Sequence, residues 1–175
     1  LSSYNVSKIL QDRFGFIWIA TQDGLNRYDG KRFIIYSKSS EARHRLLGNV
    51  VNDMQLDPQR DILWVTTSYG GMNGIDLEGG RVCHTLKGVI SPGGFTNDWL
   101  KCFAVNAGKL WIGTASGLTV YDPERRQFIQ TASFPWPPQK GASFNITFVY
   151  ANPYQHVCVF VPDYGLQGYV GHNFQ

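Results

Sequence analysis

Apolar and polar residues alternate along this chain in short runs, and turn residues separate the runs roughly every eight to twelve positions. Residues 6–11 (VSKILQ) alternate, with Val6, Lys8 and Leu10 on one face. Residues 16–21 (FIWIAT) are almost continuously apolar, which predicts a strand covered on both faces. No helical period extends beyond a couple of turns. The pattern therefore predicts an all-β protein.

One stretch of sequence occurs four times. Residues 15–30 (GFIWIATQDGLNRYDG) are matched by residues 109–122 (KLWIGTASGLTVYD). A third copy, at 62–76, has one extra residue, and a fourth, at 156–169, has Cys158 in place of tryptophan. The anchors Trp18, Trp64, Trp111 and Cys158 are 46, 47 and 47 residues apart. A fixed period of this size indicates one supersecondary unit used repeatedly.

Each repeat contains four apolar runs and is predicted to form a four-stranded antiparallel sheet. The repeats occupy residues 6–37, 50–88, 99–132 and 145–175, and the last ends in a short stub. Four-stranded units at this period, meeting face to face around an axis, predict β-propeller blades over residues 1–175. A β-solenoid is the competing architecture, but its repeats are usually shorter and lack the rhythm of four turns.

Composition excludes several classes of protein. The 175 residues suffice for one domain with a substantial core, and the net charge of +3 is scattered without a basic run, so nucleic acid is not an expected partner. The apolar runs are far too short to span a bilayer. Nothing at Leu1 reads as a signal peptide, although the chain opens in mid-pattern and a leader could have been removed.

The cysteines and histidines show no metal-binding spacing, so no metal or cofactor is expected. Cys83, Cys102 and Cys158 are odd in number, and each lies in an apolar alternation that is typical of a small buried side chain. Cys83 and Cys102 belong to an outermost and an innermost predicted strand, too far apart for a disulfide. All three are therefore predicted to stay reduced.

The text NVSKILQDRFGFIWIATQDGLNRYDGKRF, echoed by LWIGTASGLTVYD, resembles the two-component regulator propeller repeat. The resemblance is strong over the first and third repeats, fair over the second and weak over the fourth. It implies the periplasmic sensor domain of a bacterial hybrid two-component histidine kinase, with a propeller of about seven blades. In that family a β-sandwich, a membrane helix and a cytoplasmic kinase follow. Further blades of a parent chain are then the expected neighbours of this piece.

Residues that recur between repeats are interpreted as structural. The tryptophans are expected to fill the space between blades, where a large flat side chain buries the most area. The threonines at 21, 67 and 114 are expected to close strand ends, and glycine to supply the positive φ of the following turn. The structural set is Trp18, Trp64, Trp111, Gly24, Gly117, Asp29, Asp76 and Asp122.

A ligand site is predicted where the repeats differ. In a propeller, the turns between second and third strands share one side with the linkers that enter the first strand. Aromatic rings beside charges and amides at these positions suit a carbohydrate, and the resembled family implies polysaccharide breakdown products. The candidate ligand-binding residues are Asp23, Arg43, Arg45, Tyr69, Asp98, Trp99, Trp136 and Tyr164.

Two other functions compete with ligand sensing. A non-catalytic propeller that binds proteins would share this fold, because fold alone does not settle function. A propeller glycosidase is disfavoured, because no converging arginines and no nucleophilic tyrosine with an acid partner are visible. We expect no catalysis by this segment. The outer faces of the first and last repeats are expected to be apolar, which predicts either a homo-oligomer or cover by further blades.

Overall fold

The computed structural model describes residues 1–87, 100, 102–114, 117–129, 145–152, 156–162, 164–170 and 173–174. Within these residues the strands form four antiparallel four-stranded sheets, and the only helical element is a single 3-10 turn at Ala42–His44. The predicted all-β class with four-stranded repeats is confirmed. The chain divides into two compact units, Leu1–Lys87 and Gly88–Gln175, which are described one at a time. A single propeller segment over residues 1–175 stays a prediction.

The first unit contains two sheets whose strands follow chain order. The strands of the first sheet are β1 Val6–Gln11, β2 Ile17–Thr21, β3 Gly24–Tyr28 and β4 Phe33–Tyr36. Those of the second sheet are β5 Val51–Asp57, β6 Ile62–Thr67, β7 Gly71–Asp76 and β8 Val82–Leu86. A bulge in β1 between Val6 and Lys8 interrupts the alternation predicted for that strand.

The second unit repeats this arrangement. The strands of the third sheet are β9 Cys102–Asn106, β10 Lys109–Thr114, β11 Gly117–Asp122 and β12 Gln127–Ile129. Those of the fourth sheet are β13 Phe148–Ala151, β14 Val157–Val161, β15 Gly165–Val170 and β16 Asn173–Phe174. In the described residues, all pairings between strands are antiparallel and join strands that are consecutive in sequence.

Each sheet has two distinct faces, since residues paired across antiparallel strands point to the same side. We call the face that carries Trp18, Trp64, Trp111 or Cys158 the tryptophan face, and the other the aliphatic face. In the first unit the tryptophan face of the first sheet packs on the aliphatic face of the second. In the second unit the tryptophan face of the third sheet packs on the aliphatic face of the fourth. Both units therefore bury the same pair of surfaces.

Polar contacts reinforce the packing inside the first unit. The buried Arg27 guanidinium lies 3.6 Å from the centre of the Phe16 ring and donates to the Leu77 carbonyl at 2.9 Å. The Tyr36 hydroxyl donates to the Gly80 carbonyl at 2.7 Å. Burial raises the pKa of Tyr36 to about 12, although the Arg27 charge opposes the shift. The two donors anchor the first sheet to the β7–β8 turn of the second.

Recurrent threonines and aspartates close the turns. Thr21, Thr67 and Thr114 each donate their hydroxyl to the carbonyl of the glycine that begins the next strand, at 2.7, 3.3 and 2.9 Å. Asp29 and Asp122 each accept two backbone N–H groups from the turn that follows. Those donors favour the charged carboxylate and lower the pKa of both residues.

Burial differs from the sequence prediction at several positions. Strand β2 is not covered on both faces, because Ile17 and Ile19 on its aliphatic side are only half-buried. Cys83 is exposed and Cys158 is half-buried, so only Cys102 of the three thiols is buried. Trp111 is half-buried whereas Trp18 and Trp64 are fully buried. Away from bulges, sequence periodicity predicts which face a side chain joins, but not how completely that face is covered.

Candidate functional site

The linker between the first two sheets meets their turns on one side of the first unit. Asn49 makes most of this junction. Its side-chain amide donates to Asp23 Oδ1 at 3.0 Å, and its Oδ1 accepts the Lys38 N–H at 2.8 Å. Its carbonyl accepts the Gly24 N–H at 2.8 Å. We call this region, formed by the β2–β3 turn, the β6–β7 turn and the linker residues Lys38, Leu47, Asn49 and Val50, the turn surface.

The β6–β7 turn is held by the end of the same linker. The Ser68 N–H donates to the Val50 carbonyl at 2.9 Å, and the Ser68 hydroxyl lies 2.8 Å from Asn52 Oδ1. The Leu47 N–H donates to Asn73 Oδ1 at 3.0 Å. These contacts join both turns to the linker on one side of the first unit.

Tyr69 is the most prominent side chain of this turn. Its side chain is 74% exposed and its backbone has φ of 57°, a left-handed conformation that is uncommon for a residue other than glycine. The turn is one residue longer than its counterpart in the first sheet, where Asp23 lies. The extra residue and the left-handed backbone present an aromatic ring to solvent. An aromatic ring that stabilised the fold would be buried instead.

The two candidate arginines lie further along the linker, around the 3-10 turn Ala42–His44. Arg43 Nε is 3.4 Å from His44 Nε2 and 3.8 Å from a carboxylate oxygen of Glu41. Arg45 Nε donates to the Ser40 carbonyl at 3.1 Å. These contacts are local to the linker, whereas Asp23 is tied to the linker through Asn49. The structure thus places Arg43 and Arg45 in the same linker as the turn surface but in a separate cluster.

His44 connects that cluster to the core. Its ring meets the buried Tyr36 ring edge-on at 4.8 Å between centroids, and its Nδ1 is 3.5 Å from Glu41. Burial and the neighbouring Arg43 charge lower the pKa of His44, while Glu41 opposes the shift. The His44 ring thus packs beside Tyr36, and the lowered pKa favours its neutral form.

The remaining candidates lie elsewhere. Tyr164 belongs to the second unit, is half-buried against its core, and its carbonyl accepts the Gln167 side-chain amide at 2.6 Å. Asp98, Trp99 and Trp136 lie outside the described residues. The described part of the chain contains no group of three or more histidine, cysteine, aspartate or glutamate side chains that could hold a metal ion.

Sequence reasoning missed Asn49 as a site residue. It ends the linker that enters the second repeat, and Asn5 and Asn145 stand at the corresponding places where the first and fourth repeats begin. Its asparagine side chain, able to donate and accept at once, was the available signal for a residue that bridges a turn and a linker.

Comparison with protein families supports the repeat assignment. A family model described as the two-component regulator propeller matches residues 1–23. The start of the first repeat is therefore similar to the two-component regulator propeller repeat, and the predicted resemblance is confirmed. A curated relative, histidine kinase P4 from Formosa agariphila, is 46% identical over 41 residues, which is 23% of this chain and 3% of that protein.

Solved structures show the same fold over the whole chain. The extracellular domain of a protein described as a hybrid two-component system of B. thetaiotaomicron matches with a TM-score of 0.83 and 23% identity, covering 100% of this chain and 25% of its own length. That of a protein described as a one-component system of the same organism matches with a TM-score of 0.74 and 20% identity, over 98% of this chain and 24% of its own length.

The fold is also shared with a propeller of another kind. The WD40 β-propeller domain of Doa1 matches with a TM-score of 0.68 and 14% identity, over 95% of this chain and 51% of that one. The neighbours are propellers, so the predicted propeller blades are confirmed. The chain spans about a quarter of the length of the extracellular domains it matches. In the described residues no helix is long and apolar enough to cross a membrane.

Proposed function

We propose that this chain is part of an extracytoplasmic propeller that senses a ligand for a two-component receptor. The two-component regulator propeller repeat at residues 1–23 is the observation that carries the proposal. Two structural neighbours that are extracellular domains of signalling systems support the extracytoplasmic location. A histidine kinase with a matching segment supports a kinase as the output of the parent protein.

The turn surface is the proposed ligand site, and a carbohydrate breakdown product is the proposed ligand. Tyr69 offers a solvent-facing ring on which the CH face of a sugar can stack. Asp23 and Asn49 belong to the same turn surface and offer acceptors and donors for hydroxyl groups. On the basis of the sequence alone, the proposed site also includes Asp98, Trp99 and Trp136. Arg43 and Arg45 are assigned to the rim of the site.

Thermal shift and calorimetry with defined oligosaccharides test this proposal. Lys38, Arg43 and Arg45 outnumber Glu41 in the linker, so acidic and neutral oligosaccharides form separate arms of the screen. A ligand at about one hundred times its Kd should stabilise the protein by about 2.7 kcal/mol through mass action. Failure of every oligosaccharide to bind would favour the protein-binding alternative.

Three variants then locate the site. Tyr69→Asn removes the ring while asparagine still tolerates the left-handed backbone, so binding should weaken at least tenfold without loss of folding. Asp23→Asn keeps an acceptor for Asn49 but removes the charge, and should weaken binding of a hydroxyl-rich ligand. Phe14→Ala is the matched control, because Phe14 is an exposed aromatic residue in the β1–β2 turn at the opposite end of its sheet. Equal binding by all three variants would overturn the assignment of the turn surface.

A further inference from the structure

One position on the third strand of every sheet carries a polar side chain on the aliphatic face. It pairs with the second-strand residue directly after the tryptophan, or after Cys158 in the fourth sheet. The residues at this position are Asn26, Asn73, Thr119 and Gln167. Both asparagines are fully buried. A buried amide is costly unless its donors and acceptors are bonded, so its partners indicate why a polar residue lies there.

Both asparagines hold the segment that leads into the first strand of their own sheet. Asn26 Oδ1 accepts the Ser2 N–H at 2.9 Å, and Asn73 Oδ1 accepts the Leu47 N–H at 3.0 Å. Ser2 and Leu47 each lie four residues before β1 or β5 begins. A backbone N–H can only donate, so in both sheets the amide oxygen must face this segment.

In the second sheet, the segment held by Asn73 lies directly against the β6–β7 turn. A Cβ added to Gly70 would lie 2.7 Å from the Leu47 carbonyl carbon, and one added to Gly48 would lie 3.0 Å from the Ser68 carbonyl oxygen. Gly70 has no room for a side chain and Gly48 has little, so linker and turn meet backbone to backbone. Tyr69 lies between Ser68 and Gly70, and the place of the linker therefore sets where its ring projects.

We propose that Asn73 is a positioning residue of the turn surface, because it fixes the linker at Leu47 and the linker seats the turn that carries Tyr69. The inference rests on the proposed ligand site and adds to it a buried residue that contacts no ligand itself. The Asn73 amide is anchored on its other side as well. Its Nδ2 donates at 3.4 Å to the His84 carbonyl and to the Thr85 hydroxyl of β8.

The fourth sheet uses the same position to hold a turn of its own. Gln167 Nε2 donates to the carbonyl of Tyr164 at 2.6 Å, and Tyr164 is the candidate ligand residue directly before β15. The longer glutamine side chain reaches the turn itself, whereas that of Asn73 reaches the linker beside its turn. In both sheets, a polar side chain on the aliphatic face thus holds backbone next to an aromatic candidate.

Native-state amide exchange measured by NMR tests the proposal without any ligand. Asn73→Leu keeps a side chain of similar size and branching but removes the acceptor of the Leu47 N–H. Exchange of the Leu47 and Ser68 amides should accelerate by roughly tenfold or more, because the linker is no longer held. The amide of Val65 in β6 is the internal reference, since its exchange reports on opening of the whole sheet.

Asn26→Leu is the matched control, because Asn26 is equally buried and holds the same position in the first sheet. The segment that it holds ends at Asn5, whose carbonyl accepts the Gln22 N–H at 3.2 Å. This variant should accelerate exchange of the Gln22 amide. It should leave the Leu47 and Ser68 amides within about twofold of wild type.

Fluorine NMR of protein labelled with 3-fluorotyrosine gives a second readout, at the proposed site itself. The signal of Tyr69 is identified by its absence from the Tyr69→Asn variant. It should shift or broaden in Asn73→Leu and keep its wild-type position in Asn26→Leu. A general loss of stability would not move this signal while the protein stays folded, so a shift is specific to positioning.

Gly48→Ala disturbs the same contact from the linker and changes no strand residue. Its methyl group would lie 3.0 Å from the Ser68 carbonyl oxygen, so the Tyr69 signal should shift here too. This variant decides the question if Asn73→Leu does not fold. An unchanged Tyr69 signal in folded Gly48→Ala would then overturn the proposal.

Two results with folded Asn73→Leu would also overturn the proposal. The first is wild-type exchange at Leu47 together with an unmoved Tyr69 signal. The second is the same response in Asn26→Leu, which would show a general loosening of the unit. If no oligosaccharide binds, the proposed ligand fails, but these ligand-free measurements still decide whether Asn73 positions Tyr69.

Discussion

At the scale of single residues, Trp18 and Trp111 occupy the same position of their repeats but are held differently. Trp18 is fully buried, and its indole N–H donates to Asp12 Oδ2 at 2.7 Å. The other Asp12 oxygen accepts the backbone N–H groups of Phe14 and Phe16. Trp111 is half-buried at the edge of the second unit's core. One carboxylate thus joins the first turn of the chain to its buried tryptophan.

The two tryptophans should therefore differ in their contribution to stability. Trp18→Ala removes a fully buried ring and should lower the free energy of unfolding by about 3–5 kcal/mol. Trp111→Ala should cost distinctly less than that range, because part of its ring already contacts water. Urea unfolding of the two variants measures both values. Equal losses would show that the exposed part of Trp111 is covered in solution.

Tyr36 makes stability depend on alkaline pH. Burial raises its pKa from 10.0 to about 12, so the folded state favours the neutral phenol. The stabilisation is fully present below pH 10.0 and is lost as pH rises toward about 12, where the folded-state hydroxyl ionises. Tyr36→Phe removes this group, so its stability should fall less steeply than that of wild type across the same interval. Parallel slopes in urea unfolding at several pH values would contradict this assignment.

At the scale of the element, glycine is needed in the turns for two different reasons. Gly24 begins β3 with φ of 113°, and an added Cβ would lie 2.6 Å from the Tyr36 carbonyl oxygen. Gly30, in the β3–β4 turn, has φ of 94°, and nothing lies within 4 Å of an added Cβ. Gly24 therefore needs both a left-handed backbone and close approach of a neighbouring strand, whereas Gly30 needs only the backbone.

Alanine at these two positions separates the two effects. Gly30→Ala should cost about 1–2 kcal/mol, the penalty of a left-handed backbone for a residue with a Cβ. Gly24→Ala should cost more, because β4 must also move away from the new methyl group. Thermal unfolding monitored by circular dichroism gives the comparison. A smaller loss for Gly24→Ala would mean that the β3–β4 pairing adjusts without strain.

At the scale of the whole molecule, the three cysteines lie in three of the four sheets. Cys83 on β8 is exposed, Cys158 on β14 is half-buried, and Cys102 on β9 is buried at 8% exposure. All three are thiols and no disulfide joins them. Because the three thiols differ in solvent exposure, their reaction rates report on the accessibility of both units.

Thiol labelling under native conditions should follow that order. Cys83 should react first with a disulfide reagent, Cys158 more slowly, and Cys102 at the rate at which the second unit opens. In denaturant the three rates should converge. Peptide mapping by mass spectrometry identifies each labelled site. An intact mass two hydrogens below the reduced chain before labelling would contradict the absence of a disulfide.

Much of the local structure could be predicted from the sequence, because it depends on residues close together in the chain. The alternating run 6–11 coincides with β1, and the apolar run 16–21 differs from β2 by one residue. The contacts of Thr21 and Asp29 join residues at most three positions apart, and so they recur wherever the motif recurs. The candidate site could be predicted only in part, since Asn49 reaches Asp23 across 26 positions of chain.

By itself the sequence determined the repeat, the four-stranded unit and, away from bulges, the face to which each side chain belongs. The reason is that the period of two along a strand and the period near 47 along the chain depend only on the order of the residues. Only the tertiary structure decided how deeply each face is buried. Ile19 and Val65 hold the same place in their repeats, yet Val65 is fully buried and Ile19 is not. Burial depends on which sheet lies opposite, and that is a property of packing between distant parts of the chain.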